Sequence, residues 1–295
     1  MIISNPTLNS LRTNFSALFQ RGYGRTAPFS DKLCTTVPTS TKIQTYGFLE
    51  RLPKMRKWVG PRIAQNLKEK AAIIISDPYE LTLEVDRDDV EDDNLGQYAM
   101  LFEDMGESVA CHPDDLTKAA LQAGTTNEGF DEVPFFSALH VMGAQAAQAN
   151  NYTGTALNAT NYAAVRASMM SLVGEDGDPL DVQPGLLVVP PQLEGMGRTI
   201  LNNEYLANGA TNEWRNSAQL MVLPKLANQA TTWYMFDTHR AIKALIFQQR
   251  KKPKFVQKTA ETDDNVFFEK KFVYGADCRD NVGYALWWLA ARAIA

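Results

Sequence analysis

Cysteine and histidine are scarce in this chain, with three of each in 295 residues. Cys34, Cys111 and Cys278 are widely spaced, build no disulfide framework, and suit a reducing compartment. The histidines, His112, His140 and His239, are equally dispersed. Cys111-His112 is the only soft-ligand pair, and adjacent residues on a helix point in different directions, so it reads as a half-buried thiol beside a helix-terminal histidine rather than as a zinc site. Long apolar runs are also lacking. Gly185-Leu-Leu-Val-Val-Pro190 and Tyr284-Ala-Leu-Trp-Trp-Leu-Ala290 fall well short of the ~18 residues of a membrane helix. Met1 to Pro6 has neither the basic start nor the apolar core of a signal peptide.

Nucleotide and nucleophile motifs are missing as well. Gly22-Tyr-Gly24 has no third glycine, and no Gly-x-Ser-x-Gly elbow occurs. A calcium loop starting at Asp86 would place Glu91 where the invariant glycine belongs and Gln97 where the bidentate glutamate belongs. Asp176-Gly-Asp178 reads as a turn. The sequence therefore offers no catalytic, cofactor or metal site, and the chain is expected not to be an enzyme.

What is present is a core. With 45% hydrophobic residues and a net charge of −5, disorder is excluded and one large or two modest domains are possible. The acidity argues against a tight grip on nucleic acid. Residues 6–20 read as an amphipathic helix with Leu8, Leu11, Phe15, Leu18 and Phe19 on one face, ended by Gly22 and Gly24. A polar linker over 26–42 follows, so this start reads as an arm that needs something to pack against.

The stretch 43–90 has the most unusual composition. Arg51, Lys54, Arg56, Lys57, Arg62, Lys68 and Lys70 surround Trp58, then come β-prone Ile73–Ile75 and Leu81–Val85. The acidic run Asp86, Asp88, Asp89, Glu91, Asp92, Asp93 closes it. A hairpin over about 43–86 would reach roughly 50–70 Å. A compact body of this length has a radius of gyration of about 19 Å, so the hairpin would project. A helix is expected from Asp93, with Tyr98, Phe102, Met105 and Val109 on one face and an interruption at Pro113. Residues 133–142 are ambiguous between strand and helix, and 144–161 read as a surface loop. Beyond lie a helix over 160–173, a buried strand at 186–189 and a helix from Pro191 to Gly209. Strands are expected at 219–223, 232–236, 243–248, 265–274 and 282–289, with a basic run over 250–258. The fold class is α+β, with mixed sheets and two projecting arms.

Basic residues beside Trp58 could form a nucleic-acid patch. Because an equally strong acidic stretch follows, pairing between copies of the chain is the preferred reading, with a plain solvated surface as the simpler one.

The run Tyr46-Gly-Phe-Leu-Glu-Arg-Leu-Pro-Lys-Met-Arg-Lys-Trp58-Val-Gly-Pro-Arg62 resembles the Mu-like major head subunit family of tailed phages. So do Asp88-Asp-Val-Glu-Asp-Asp-Asn94, His112-Pro-Asp-Asp115, Asp178-Pro-Leu180, Leu187-Val-Val-Pro-Pro191, Trp233-Tyr-Met-Phe-Asp237, Phe247-Gln-Gln-Arg250 and Gly283-Tyr-Ala-Leu-Trp287, in the family's order over residues 40–292. One departure is Phe136-Ser-Ala-Leu-His-Val141, where Asp-His-Pro is expected.

The resemblance implies a Hong Kong 97-type capsid fold. It divides the chain into an N-terminal arm (1–42), an extended β-hairpin loop (43–90), a peripheral domain with a spine helix (91–154 and 251–295) and an axial domain (155–250). It implies a major capsid protein that assembles into hexamers and pentamers, forming an icosahedral virion shell around double-stranded DNA without binding it specifically. Production in the bacterial host cytoplasm, and help from a scaffolding protein and a portal, go with that reading; membranes and cofactors do not. The inter-subunit contact candidates are Arg51, Lys54, Arg56, Lys57, Trp58 and Arg62 on one side and Asp88, Asp89, Glu91, Asp92 and Asp93 on the other. Some relatives cross-link lysine to asparagine between subunits, and Lys54, Lys57 and Lys68 could serve sterically, but no partner asparagine is evident. The alternative is a nucleic-acid-binding module using 51–70.

Overall fold

The computed structural model describes residues 5–49, 69–92, 96–205, 209–260 and 262–295. Its first helix, α1 (Asn5–Arg25), runs through Gly22 and Gly24 instead of stopping there. The reason is tertiary: Gly22 lies against the backbone of a second long helix, where any side chain would collide. The expected linker over 26–42 also carries structure. A short α2 (Ser30–Leu33) leads into β1 (Cys34–Pro38). The arm therefore packs on its own subunit, burying Leu8, Leu11, Phe15 and Phe19.

Strands β2 (Ile43–Leu49) and β3 (Glu69–Ile75) pair antiparallel, joining Ile43 to Ile75 and Leu49 to Glu69. They form a separate two-stranded ribbon, and residues 50–68, between them in sequence, lie outside the described residues. Strand β4 (Asp77–Asp86) does not belong to that hairpin, which is the first correction to the 43–86 reading. Alternation identified Leu81–Val85 as a strand, but alternation cannot name a partner.

The acidic run begins α3 (Arg87–Glu91), with the Asp86 side chain accepting from the Asp88 amide as its cap. Helix α4 (Gly96–Ala123) then spans 28 residues and continues through Pro113. Buried Phe102, Met105 and Ala110 hold it before the proline, and Thr117, Ala120 and Leu121 hold it after. Packing on both sides offsets the missing hydrogen bond.

Residues 133–142 form neither strand nor helix, but a loop pinned by isolated bridges at Pro134 and His140. The 144–161 stretch is not wholly a surface loop: Asn150 is fully buried and precedes β5 (Asn151–Tyr152). Helix α5 (Ala159–Met170) and strand β6 (Leu186–Val189) follow. After one 3-10 turn, α6 (Glu194–Leu201) ends well before Gly209. Asn212 stops it, its side-chain amide donating to the carbonyls of Ile200 and Asn203, each at 2.9 Å.

The remaining strands are β7 (Gln219–Val222), β8 (Thr232–Phe236) and β9 (Leu245–Lys258), the last absorbing the basic run. In place of a strand from 265, helix α7 (Asp264–Glu269) precedes β10 (Lys271–Tyr284). Lys270, at φ 56°, makes the left-handed turn between them. Strand β11 (Ala290–Ile294) ends the chain.

Two sheets organise the body. One has the order β1-β9-β10-β4, and the other β5-β11-β8-β6-β7. The first carries α1 and α4 on a core of Phe15, Phe19, Phe102, Met105, Phe272 and Tyr274. The second is the larger core, where β6 and β8 are buried along their whole length. Strands β9 and β10 pair along most of their length with two irregularities, and Pro253 falls in the first, where a missing N–H is tolerated.

Candidate assembly surface

Adjacent side chains on β3 have opposite fates. Ile74 is buried and seated on Gly283 of β10, so close that a glycine Cβ would lie 2.4 Å from it. Ile73 and Ile75 point the other way and are 65% and 44% exposed. Across the ribbon Ile43, which pairs with Ile75, is 55% exposed. The ribbon thus anchors one face on its own subunit and leaves an aliphatic face uncovered.

Polar groups fix the root of the hairpin. Buried Gln248 donates to the Ser76 hydroxyl (2.6 Å) and the Ile74 carbonyl (3.3 Å) and accepts from the Tyr46 hydroxyl (2.9 Å). Asn281 donates to the Ile75 carbonyl at 2.7 Å. Ser76 N–H closes the ribbon onto the Lys42 carbonyl. A groove of about 940 Å³ runs beside this root, lined by Ile73, Ile75, Phe130 and Val282 among others.

A second apolar projection sits on α7. Phe267 and Phe268 are 73% and 75% exposed and meet edge to face. Two such rings side by side form an exposed apolar patch of the kind that marks interaction surfaces. The reading of 265–274 as a strand hid them; the pair Asp263-Asp264 ahead of two aromatics was the available signal for a short helix.

The outer face of the four-stranded sheet is graded in charge. Lys252, Lys254 and Lys258 are exposed on β9, and Glu80, Glu84 and Asp86 on β4. Between them Lys271 pairs with Glu84 at 2.5 Å and Lys251 pairs with Asp277.

Of the acidic contact candidates, Asp88 is exposed and 4.0 Å from Lys270. Asp89 accepts from the Tyr98 hydroxyl at 2.5 Å, and Asp92 faces solvent. Glu91 lies at the end of α3. Asp93, and all of Arg51, Lys54, Arg56, Lys57, Trp58 and Arg62, lie outside the described residues, as does Lys68. The structure brings Asp88, Asp89 and Asp92 together at the junction of β4 and α4.

The histidine that is fully buried against a carboxylate is sealed from solvent. His140 is fully buried, its Nδ1 2.6 Å from Asp131 and its Nε2 3.2 Å from Oδ1 of the Asn150 side chain. Its ring stacks on Trp287 at 4.0 Å. The Asn150 amide donates to the Phe135 and Trp287 carbonyls, which fixes its orientation. With no access for a substrate, the group locks the loop that departs from the family pattern.

Among the described residues no helix is long and apolar enough to cross a membrane. The chain matches the family described as Mu-like prophage major head subunit gpT over residues 8–156, 148–226 and 225–294. It is 29% identical to the major capsid protein of Escherichia phage Mu over 290 residues, covering 98% of this chain and 74% of that protein. It also resembles a subunit of the bacteriophage JBD30 procapsid, with a TM-score of 0.65 and 27% identity over 99% of this chain and 76% of that one. A virus-like particle from Pyrococcus furiosus, at 8% identity and a TM-score of 0.56, shares the fold over 95% of this chain and 98% of that one. The architecture is therefore the Hong Kong 97-type capsid fold, and the chain belongs to the Mu-like prophage major head subunit family.

Proposed function

We propose that this chain is the major capsid protein of a Mu-like phage, a structural subunit whose copies close into the icosahedral head. The observation that carries the reading is the joint one: family match along the whole chain, and a hairpin rooted on its own subunit with an uncovered aliphatic face. A projecting ribbon and an exposed aromatic pair leave apolar surface in water on a monomer. They make sense when each is covered by a neighbouring subunit.

In this reading α1 to residue 42 is the N-terminal arm, 43–90 contains the extended loop, α4 is the spine helix, and 155–250 forms the axial domain. Residues 91–154 and 251–295 make up the peripheral domain in this reading, and the last strand, β11, pairs within the sheet that holds β6 and β8. Subunits form hexamers and pentamers, whose interfaces tolerate small angular differences through the arms. The shell encloses double-stranded DNA without specific contacts, and a scaffolding protein and portal take part in its assembly in the host cytoplasm. The function is non-enzymatic. The nucleic-acid-binding alternative for 51–70 finds no support in the family or in its solved relatives.

The charge hypothesis is that Arg51, Lys54, Arg56, Lys57 and Arg62, with Trp58, meet the acidic surface of Asp88, Asp89, Glu91, Asp92 and Asp93 on a neighbour. Reversing Arg51, Lys54 and Arg56 to Glu is expected to abolish shells while leaving a folded, soluble subunit. Normal shells from that variant, seen by negative-stain microscopy, would remove the charge pairing from the account.

A further inference from the structure

His112, Cys278 and Asp280 come from two elements far apart in sequence, yet their donor atoms converge within 4.8 Å of one another. Cys278 and Asp280 are two residues apart on β10, so both point to the same face of the strand, toward α4. His112 reaches down from α4, and its Nε2 lies 3.0 Å from the Asp280 carboxylate. The Asp280 side chain is 2% exposed and the His112 side chain 20% exposed, so the cluster is buried on the strand side and open at the histidine. The Tyr79 ring covers His112, with centroids 4.3 Å apart.

We propose that these three side chains form a binding site for a divalent transition-metal cation of the zinc class, which ties α4 to β10 inside each subunit. One nitrogen, one sulfur and one oxygen donor suit zinc, cobalt(II) or iron(II), whereas calcium and magnesium call for oxygen alone. Tetrahedral zinc places its ligand atoms about 3.3–3.8 Å apart. The three donor atoms already lie within 4.8 Å of one another, within reach of that spacing by side-chain rotation. A fourth ligand would be water, admitted on the side where the His112 side chain is 20% exposed. On binding, the Cys278 thiol gives its proton to solvent and the sulfur joins the metal as thiolate.

Cys111, next to His112, is not part of the site, which separates this arrangement from the adjacent-residue pair considered in the sequence. The bland alternative is a His–Asp hydrogen bond beside an inert thiol. The two differ in thiolate chemistry, and neither depends on shell assembly.

The test uses the full-length subunit, stripped with a chelator and titrated with Co(II) and then Zn(II). The expected result is one equivalent of Co(II) per subunit, with a thiolate-to-cobalt charge-transfer band in the ultraviolet that Zn(II) erases, and a higher melting temperature in zinc. Cys278→Ala and His112→Gln should lose the band, while Cys111→Ser and Cys34→Ser should keep it. Circular dichroism of each apo variant checks that loss of the band is not loss of fold. Absence of a charge-transfer band in the wild-type chain, or its survival in a folded Cys278→Ala variant, would overturn the proposal.

Discussion

Gly22 of α1 and Glu103 of α4 touch backbone to backbone: a Cβ on Gly22 would sit 2.0 Å from the Glu103 carbonyl oxygen. One turn further along α4 the relationship is returned, since a Cβ on Gly106 would lie 2.1 Å from the Phe19 carbonyl oxygen. The arm helix and the long helix therefore cross on a glycine from each side. Phe15 and Phe102, stacked 4.1 Å apart, and the ion pairs Arg21–Glu103 and Arg25–Glu107 flank the crossing.

Gly106→Ala should therefore destabilise the subunit by about 1–3 kcal/mol, because the added methyl must push two backbones apart. Gly24, which has open space where its Cβ would be, provides the control. Gly24→Ala should be neutral or stabilising by up to ~1 kcal/mol through helix propensity. Chemical denaturation of both variants separates a crossing constraint from a general dislike of glycine replacement.

Neighbouring residues on β3 should behave oppositely. Ile74→Ala empties a packed site against Gly283 and is expected to cost about 2–4 kcal/mol of subunit stability. Ile73→Asn, on the exposed face, should change subunit stability by no more than ~0.5 kcal/mol yet reduce assembly sharply. Equal effects of the two on subunit melting would mean that the ribbon is not seated as described.

Phe267→Ser with Phe268→Ser removes the aromatic pair on α7. The isolated subunit should melt within ~0.5 kcal/mol of the parent, and shell yield in a sedimentation assay should fall. Unchanged yield would exclude α7 from the subunit contacts.

Asn150→Ala should cost about 1–3 kcal/mol, the penalty for leaving buried partners unsatisfied. It strands the Phe135 and Trp287 carbonyls, the Ser137 amide and the imidazole of His140. Near-ultraviolet circular dichroism of Trp287 and Trp288 should report the loosening of this loop before global melting.

Alkaline stability follows from buried phenols. Burial pushes Tyr234, Tyr274 and Tyr284 up to about 12 from an ordinary 10.0. A raised value in the folded state means a stabilisation present in full below pH 10 and lost as pH rises through about 12. Tyrosinate absorbance should therefore come in two stages, the second coinciding with loss of far-ultraviolet signal. Complete ionisation near pH 10 with the fold intact would contradict the burial of these three residues.

Much of the architecture was legible where one local pattern decides the outcome. Leu8, Leu11, Phe15 and Phe19 marked α1, Phe102 and Met105 marked α4, and the short apolar runs at 186–189 and 232–236 marked two buried strands. The errors came where distant backbone overrode a local signal. Gly22 reads as a helix breaker until α4 is set against it, and Pro113 reads as an interruption until both halves of its helix are seen to be buried. Leu81–Val85 was identifiable as a strand, but its pairing with β10, across nearly two hundred residues, was not. The exposed apolar surface was the least legible part. Exposed Phe267 and Phe268 look like core residues in a sequence, because only the fold reveals which apolar residues lack a neighbour.

The most direct test of the account is cryo-electron microscopy of particles formed by the full-length chain co-expressed with its neighbouring genes. The account predicts closed shells in which the 43–75 hairpin of one subunit lies across the next, covering Ile43, Ile73 and Ile75, with the α7 aromatics buried between subunits. A protein that stays monomeric in the presence of those neighbours, or shells in which these residues face solvent, would contradict it.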